Sequence, residues 1–598
     1  MRRRSIRFFV VSCTAALAVM CAAAAAPSRE SSEPPTSTGT GGAAATVDRL
    51  ASEAALTVLR RGGNAVDAAV AAAAVLGVTE PFSCGIGGGG FLVFYEAPKR
   101  PKANPHVFTL DHRERAPAAM RPESFLEGGR PLAFNDARYS GLSVGVPGTV
   151  RGWAEALRRY GSKKITLAQA LAPAIAAARN GFTIDQAFFE QTQGNLDYFD
   201  DVPTTAALFL DPDGTPRDVG SVFRNPDLAK TYELIARGGA NAFYTGEVAN
   251  AIVQTVKAPP VAANANHRWR AGVMELTDLA GYTAPQRAPV RVRYRGLDVF
   301  GMGPPSSGGS TVGEALNILE GYDLASLPRE RALHLYLEAS RFAFADRGAY
   351  LADPDFFSVP LRGLLSKEFA AVRRGLIGDT AARSPVPAGD PAPFQGAPVV
   401  RADFSLSSTR PGTTTHLTVS DAKGNVVSYT FTIESTGGAG LVAPGYGFLL
   451  NNELTDFNFD STTHPNRVEG GKRPRSSMAP TIVLRQGKPL LALGSPGGST
   501  IITTVLQILV DRLDLRRTLT DSLAAPRASQ RNTAAVAVEA GFPQIPEAPA
   551  LRAREHVFGT PAEIGAATAI EFLAGGRVLA AAEPVRRGGG SALVVRPG

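Results

Sequence analysis

Residues 414–433 constrain this chain more than any other stretch, because their strand register can be read from the sequence. TTHLTVS (414–420) and VVSYTFTI (426–433) flank the turn-forming DAKGN and read as a β-hairpin. Centring the turn on Lys423 sets Thr414 opposite Thr432. One face then carries Thr415, Leu417 and Val419 together with Tyr429, Phe431 and Ile433. The other carries Thr414, His416 and Thr418 opposite Thr432, Thr430 and Ser428. A slip of one residue would mix the apolar and polar faces.

Other strand-like runs occur at HVFTLDHRE, VRVRYRGLDVFG, APTIVLRQ and LLALGS. Helical patterns recur at VDRLASEAALTVLRRGGNAVDAAVAAAAVLGV, where Gly62 and Gly63 separate two helices, and at TVRGWAEALRRYG, ALHLYLEASRFAFADRGAY and IITTVLQILVDRL. Hairpin-type strand pairs outnumber regular βαβ alternation. The pattern predicts an α+β fold of packed antiparallel sheets with helices outside them.

The formal charge of +8 on 598 residues raises the question of a nucleic-acid partner. Arg2, Arg3, Arg4 and Arg7 supply half of it. They precede an apolar run that ends in small residues, the order of a secretory signal over residues 1–26. Without that segment the charge is 8 − 4 = +4, and the remaining Arg are interspersed with acids. No nucleic-acid partner is expected, nor a membrane span in the mature chain, and the location is secreted or periplasmic. Cys13 and Cys21 lie in the signal, so Cys84 would remain alone. Residues 27–45, rich in Ser, Pro and Gly, read as a flexible tether. A second stretch of low periodicity, from about Gly378 to Gly412, leads up to the hairpin.

A strand that begins on Thr414 with a second hydroxyl opposite has what a threonine hydrolase needs. The hydroxyl is a weak nucleophile until a base takes its proton, and a free α-amine on the same residue can serve. That amine exists only if the Thr413–Thr414 bond is broken. By itself, TTTH is also the polar edge of an ordinary hairpin.

Further stretches decide between the two. TTHLTVSDAKGNVVSYTFTIES, FLLNNELTDF, KRPRSSMAPTIV and GSPGGSTIITTVLQ resemble the small subunit of γ-glutamyltranspeptidases. GGNAVDAAVAAAAVLGVTEP, GGGGFLVFYE, LDHRERAP, GVPGTVRGW, GPPSSGG and ADRGAYLADPDF resemble their large subunit, in order, from about residue 46 to the C-terminus. The resemblance implies a four-layer αββα N-terminal-nucleophile hydrolase sandwich, self-cleavage, and a heterodimer of residues 46–413 and 414–598. It implies Thr414 as nucleophile, Thr432 as its hydroxyl partner and Gly497 and Gly498 as the oxyanion hole. Arg113, Ser476 and Ser477 would take the substrate's α-carboxylate, and Glu434, Glu453 and Asp456 its α-amine. Acids stand at 434 and 453 where many members have amides. Nineteen residues join Asp456 to Ser476, which looks like the lidless type.

The implied reaction moves a γ-glutamyl group from a small molecule such as glutathione to water or to an amino-acid or peptide acceptor, without a cofactor or metal. Rival readings are a glutaryl β-lactam acylase, a poly-γ-glutamate depolymerase and an inactive extracytoplasmic binding protein. Two motifs are discounted. GIGGGG at 85–90 follows a helix and precedes a strand, the reverse of a dinucleotide site. GLSVG at 141–145 lacks the strand and helix that a serine-hydrolase elbow requires.

Overall fold

The computed structural model describes residues 35–98, 106–400 and 412–598. The signal segment, and residues 401–411 just before the hairpin, lie outside the described residues. No helix among the described residues is long and apolar enough to cross a membrane.

Thirteen strands form one sheet. In chain order they are β1 (Thr36–Thr46), β2 (Gly89–Glu96), β3 (His106–Asp111), β4 (Gln286–Arg287), β5 (Val290–Tyr294), β6 (Leu297–Gly301), β7 (Thr414–Asp421), β8 (Val426–Thr432), β9 (Thr481–Arg485), β10 (Lys488–Gly494), β11 (Thr568–Phe572), β12 (Val578–Ala582) and β13 (Ser591–Pro597). Their spatial order is β4-β3-β2-β8-β7-β1-β12-β11-β10-β9-β6-β5, with β13 also on β1. Every pairing in this sheet is antiparallel.

The sheet folds back on itself. Strand β8 is far from β9 and β10 along the sheet, yet Ser428 Oγ donates to the Leu493 carbonyl at 2.9 Å and accepts from the Thr481 amide at 3.1 Å. The polar face of the β7–β8 hairpin therefore meets the opposite half of the sheet. Its apolar face, with Leu417, Val419 and Tyr429, packs on helices α1 (Arg49–Arg60), α2 (Ala65–Thr79), α3 (Thr149–Tyr160) and α4 (Leu167–Asn180). The short helix α5 (Gln186–Gln193) follows α4. Against the other half of the sheet pack α6 (Gly308–Leu319), α7 (Arg329–Tyr350) and α8 (Thr500–Leu513). The layers run helix, sheet, sheet, helix, as expected of an αββα sandwich.

Every residue of α2 is buried, so its Ala-rich sequence is apolar all round rather than striped. Asn64 caps it, its side chain accepting from the Val66 and Asp67 amides while Asp67 reaches back to the Asn64 amide.

One expectation is overturned. Residues 36–45 are not a tether, because Thr36–Thr46 is the strand between β7 and the pair β12 and β13. Ala43, Ala44 and Ala45 are fully buried. The run of Gly, Ser, Thr and Ala reads as flexible only in isolation. Here small size is required: a Cβ on Gly42, whose φ is +108°, would lie 2.6 Å from the Ser420 carbonyl oxygen of β7. The folded part thus begins before residue 46.

Candidate active site

The register read from the sequence is the one observed, with Thr414 paired to Thr432 and Thr418 to Ser428. Thr414 opens β7 and is almost fully buried. Its Oγ1 donates to Thr432 Oγ1 at 3.2 Å. Thr432 Oγ1 donates in turn to the Thr413 carbonyl at 2.7 Å and accepts from the Glu434 amide at 2.8 Å. A single hydroxyl thus stands between the Thr414 side chain and the carbonyl of the peptide bond that precedes it. The Thr413 amide donates to the Glu434 carbonyl at 2.8 Å, and Arg587 Nη1 donates to the Thr414 carbonyl at 2.8 Å, which fixes the backbone on both sides. His416, two residues on, is no candidate base: burial lowers its pKa to about 3, and Nδ1 lies 2.7 Å from Thr430 Oγ1.

The GSPGG loop runs from the end of β10 to the start of α8. Gly497 and Gly498 have φ of +128° and +58°, a backbone that L side chains adopt poorly. This turns the loop so that both residues precede the first turn of a fourteen-residue helix, where unpaired amides and the helix dipole favour negative charge. Neither glycine amide donates to a protein acceptor among the described residues. Gly498 abuts Gly412, since a Cβ on Gly412 would lie 3.1 Å from Gly498 Cα.

A cavity of about 240 Å³ opens beside Thr414. It is lined by every residue that the sequence singled out except Gly497, which lines an adjoining cavity. The charges inside are arranged differently from the expectation that Arg113 would stand apart from the acids. Arg113, only 1% exposed, pairs through Nη1 with Glu453 and through Nη2 with Asp456 at 2.6 Å. Its Nε donates to the Pro474 carbonyl at 3.2 Å. Glu114, also buried, lies 3.8 Å from Nη1. Burial raises the Glu114 carboxyl to about 7 and pushes Glu453 well above the usual carboxylate range, with Arg113 opposing both.

Glu434 is held separately, by hydrogen bonds from Ser435 Oγ and Asn452 Nδ2. Burial, then the charge of Asp456, raises its carboxyl to about 7. Of the three acids, Glu434 is the one not in contact with Arg113.

Ser476 and Ser477 face the same cavity, and the motifs around them now have a role. The Met478 amide donates to Ser476 Oγ at 3.1 Å. Arg347 Nη2 donates to Ser477 Oγ at 2.7 Å, while its Nε donates to Ser307 Oγ at 2.7 Å. Ser307 Oγ donates onward to the Ser476 carbonyl at 2.6 Å. Amide and guanidinium groups donate only, so both Ser476 and Ser477 act as acceptors here and keep their hydroxyl hydrogens for another acceptor. GPPSSGG and ADRGAY, separated from the serines by more than a hundred residues, therefore brace them. Arg347 was missed in the sequence, although its motif had been noticed.

Comparison with known proteins places the chain in a family. The family model described as Gamma-glutamyltranspeptidase matches residues 51–593. The glutathione hydrolase proenzyme of Bacillus subtilis (strain 168) is 38% identical over 523 residues, covering 86% of this chain and 85% of that protein. Acylase ACY 1 proenzyme of Pseudomonas sp. (strain SE83) is 37% identical over 547 residues, covering 89% and 90%. The crystal structure of cephalosporin acylase from Bacillus halodurans superposes with a TM-score of 0.81 at 28% identity, covering 96% of this chain and 99% of that one. The chain therefore belongs to the γ-glutamyltranspeptidase family and is an enzyme of that family.

Proposed function

We propose that the protein is a secreted or periplasmic precursor that cuts itself between Thr413 and Thr414 and then hydrolyses or transfers γ-glutamyl amides, glutathione among them. The observation that carries this reading is the hydroxyl of Thr432, which joins Thr414 Oγ1 to the Thr413 carbonyl. Its donation polarises that carbonyl toward attack by Thr414 Oγ. The C–N bond then breaks, the proton that Oγ gives up passes to the leaving Thr414 nitrogen, and water hydrolyses the resulting Thr413 ester. A free α-amine is left on Thr414.

In turnover that amine takes the Oγ proton as Thr414 attacks the γ-carbonyl. The Gly497 and Gly498 amides receive the oxyanion at the N-terminus of α8. Arg113, Ser476 and Ser477 bind the α-carboxylate, the two hydroxyls with hydrogens already free. Glu434, with Glu453 and Asp456, binds the α-ammonium. A zwitterionic substrate replaces the Arg113 contacts to Glu453 and Asp456 with one partner for each sign, which limits the cost of parting a buried ion pair. Protein produced with the full chain should run as two fragments, the smaller beginning at Thr414 by N-terminal sequencing. Thr414→Ala should stay uncut and inactive. An uncut wild-type chain with full γ-glutamyl hydrolase activity would sink the mechanism.

A glutaryl acylase is the second reading, favoured by the whole-chain likeness to a cephalosporin acylase and by the pairing of two of the three acids with Arg113. Glutaryl and γ-glutamyl amides with one leaving group differ only in the α-ammonium. Partly exposed polar recognition should give a γ-glutamyl preference in kcat/KM of roughly 10². Equal rates would assign the acylase activity and leave Thr414 in place.

A further inference from the structure

Arg587 stands in the turn between β12 and β13, in the run VRRGGG, with a φ of +55° that residues bearing a side chain adopt only rarely. Its neighbour Arg586 is held by the buried acids Glu539 and Glu583. Arg587 turns instead toward the reaction centre. Its Nη1 donates to the Thr414 carbonyl at 2.8 Å and to Ser83 Oγ at 3.3 Å. Behind it lies Glu80, the residue after α2, whose Oε2 is 3.8 Å from Nη1 and accepts from Ser83 Oγ at 3.2 Å. Among the described residues the guanidinium forms no closer ion pair. Burial raises the Glu80 carboxyl to about 7 against the pull of Arg587, and Asp48 and Asp185 add to the rise. Asp48 caps α1, Asp185 caps α5, and the Arg587 amide reaches the exposed Glu563 at 3.4 Å.

We propose that Arg587 is a positioning residue that also sets the basicity of the Thr414 α-amine, holding it neutral at neutral pH, with Glu80 as the charge that moderates the effect. The proposal rests on Thr414 being the nucleophile once the chain is cut. An α-amine has an unperturbed pKa of about 7.7 to 8.0, so without help most of it is an ammonium at neutral pH and cannot take the Oγ proton. Bond lengths put the nitrogen about 2.5 Å from the carbonyl carbon of its own residue, and so within about 6 Å of a guanidinium bonded to that carbonyl. A fixed cation at that range disfavours the ammonium, and arginine keeps its charge throughout the working range. A shift of about one unit brings the base close to neutrality, where general-base catalysis is most effective. The proton passes from Oγ to the neutral amine during attack, and from the amine to the departing nitrogen. Glu80 acts in the opposite sense: as it ionises above about 7 it offsets part of the Arg587 charge. Arg113, Glu434 and Asp456 on the acyl side, and Arg138 and Arg531 on the other, line the cavities that reach Thr414 and Thr413. They are the same in every variant below, so their effect cancels in the shift.

The test is the pH dependence of kcat for a γ-glutamyl anilide, on protein shown by gel to be cut. Saturating substrate is used because Glu434, raised to about 7, acts on binding. The acidic limb then reports the amine that must be neutral for turnover. Arg587→Gln keeps a donor for the Thr414 carbonyl but no charge, and should move the limb up by about one unit, roughly a tenfold loss on its acid side. Arg587→Lys keeps the charge and should leave the limb near its wild-type position. Glu80→Gln removes the opposing charge and should move the limb down by about half a unit. A purely structural contact would lower kcat at every pH without moving the limb. An unmoved limb in Arg587→Gln, or equal shifts in Arg587→Gln and Arg587→Lys, would overturn the proposal. If Arg587→Gln remains uncut, Glu80→Gln decides alone, and a limb that stays or rises there overturns it. A wild-type chain that stays uncut has no free amine, and it is then the Thr414 reading that fails.

Discussion

At Glu434 both backbone and side chain are in unusual states. Its φ is +79°, which lets the amide turn back to Thr432 Oγ1, and its carboxyl is raised to about 7 by burial and by Asp456. The sign of the resulting pH dependence follows directly. Below about 7 the group is neutral and offers little to an ammonium, and as pH rises through 7 it becomes a carboxylate. Competitive inhibition by free glutamate, whose α-ammonium persists over this range, should therefore tighten severalfold between about pH 6 and 8. Glutarate, which lacks the ammonium, should not tighten, and Glu434→Gln should flatten the glutamate curve. A Ki for glutamate independent of pH in wild type would remove Glu434 from amine recognition. The residues of this pocket were visible as types in the sequence, but their pairing was not. Three acids and one Arg read as two ends of a dipole, yet folding brings Glu453 and Asp456 onto Arg113 across more than three hundred residues.

At the scale of elements, the β7–β8 hairpin and strand β1 behaved oppositely. The hairpin alternates large apolar with polar side chains, so a one-residue slip would be costly and the register shows in the sequence. Strand β1 has only small side chains, which carry no alternation. Its strand state depends on β7 on one side and on β12 and β13 on the other. Deletion of residues 1–34 should therefore leave a soluble protein that still cuts itself. Deletion of residues 1–46 removes a central strand and unpairs its neighbours, and should give insoluble, uncut chain on a gel. A folded, active product of the longer deletion would restore the tether reading.

Across the whole molecule, a cut at Thr413–Thr414 would not divide the fold into two bodies. The segment before it supplies β1 to β6 and the segment after it β7 to β13, but the sheet interleaves them. Strand β8 pairs with β2, β1 lies between β7 and the pair β12 and β13, and β6 pairs with β9. The two fragments should therefore elute as one particle of about the size of the uncut chain in size-exclusion chromatography, and should separate only under denaturing conditions. Dissociation in native buffer at micromolar concentration would contradict this strand order. Ladder bonds and cores shared between segments would make such a cut a local event, which opens the backbone around Thr414 without dividing the sheet.

The sequence by itself determined the α+β class, the hairpin and the Thr414–Thr432 pairing, because each is written in side-chain periodicity over a few residues. It also marked the motifs that line the site. Tertiary structure alone decided that residues 36–46 are a strand, that Arg113 is bound by two of the acids, and that Arg347 leaves the Ser477 hydroxyl hydrogen free. In each of these cases the deciding partner is far away in the chain, and burial, which sets both charge pairing and hydrogen-bond direction, exists only after folding.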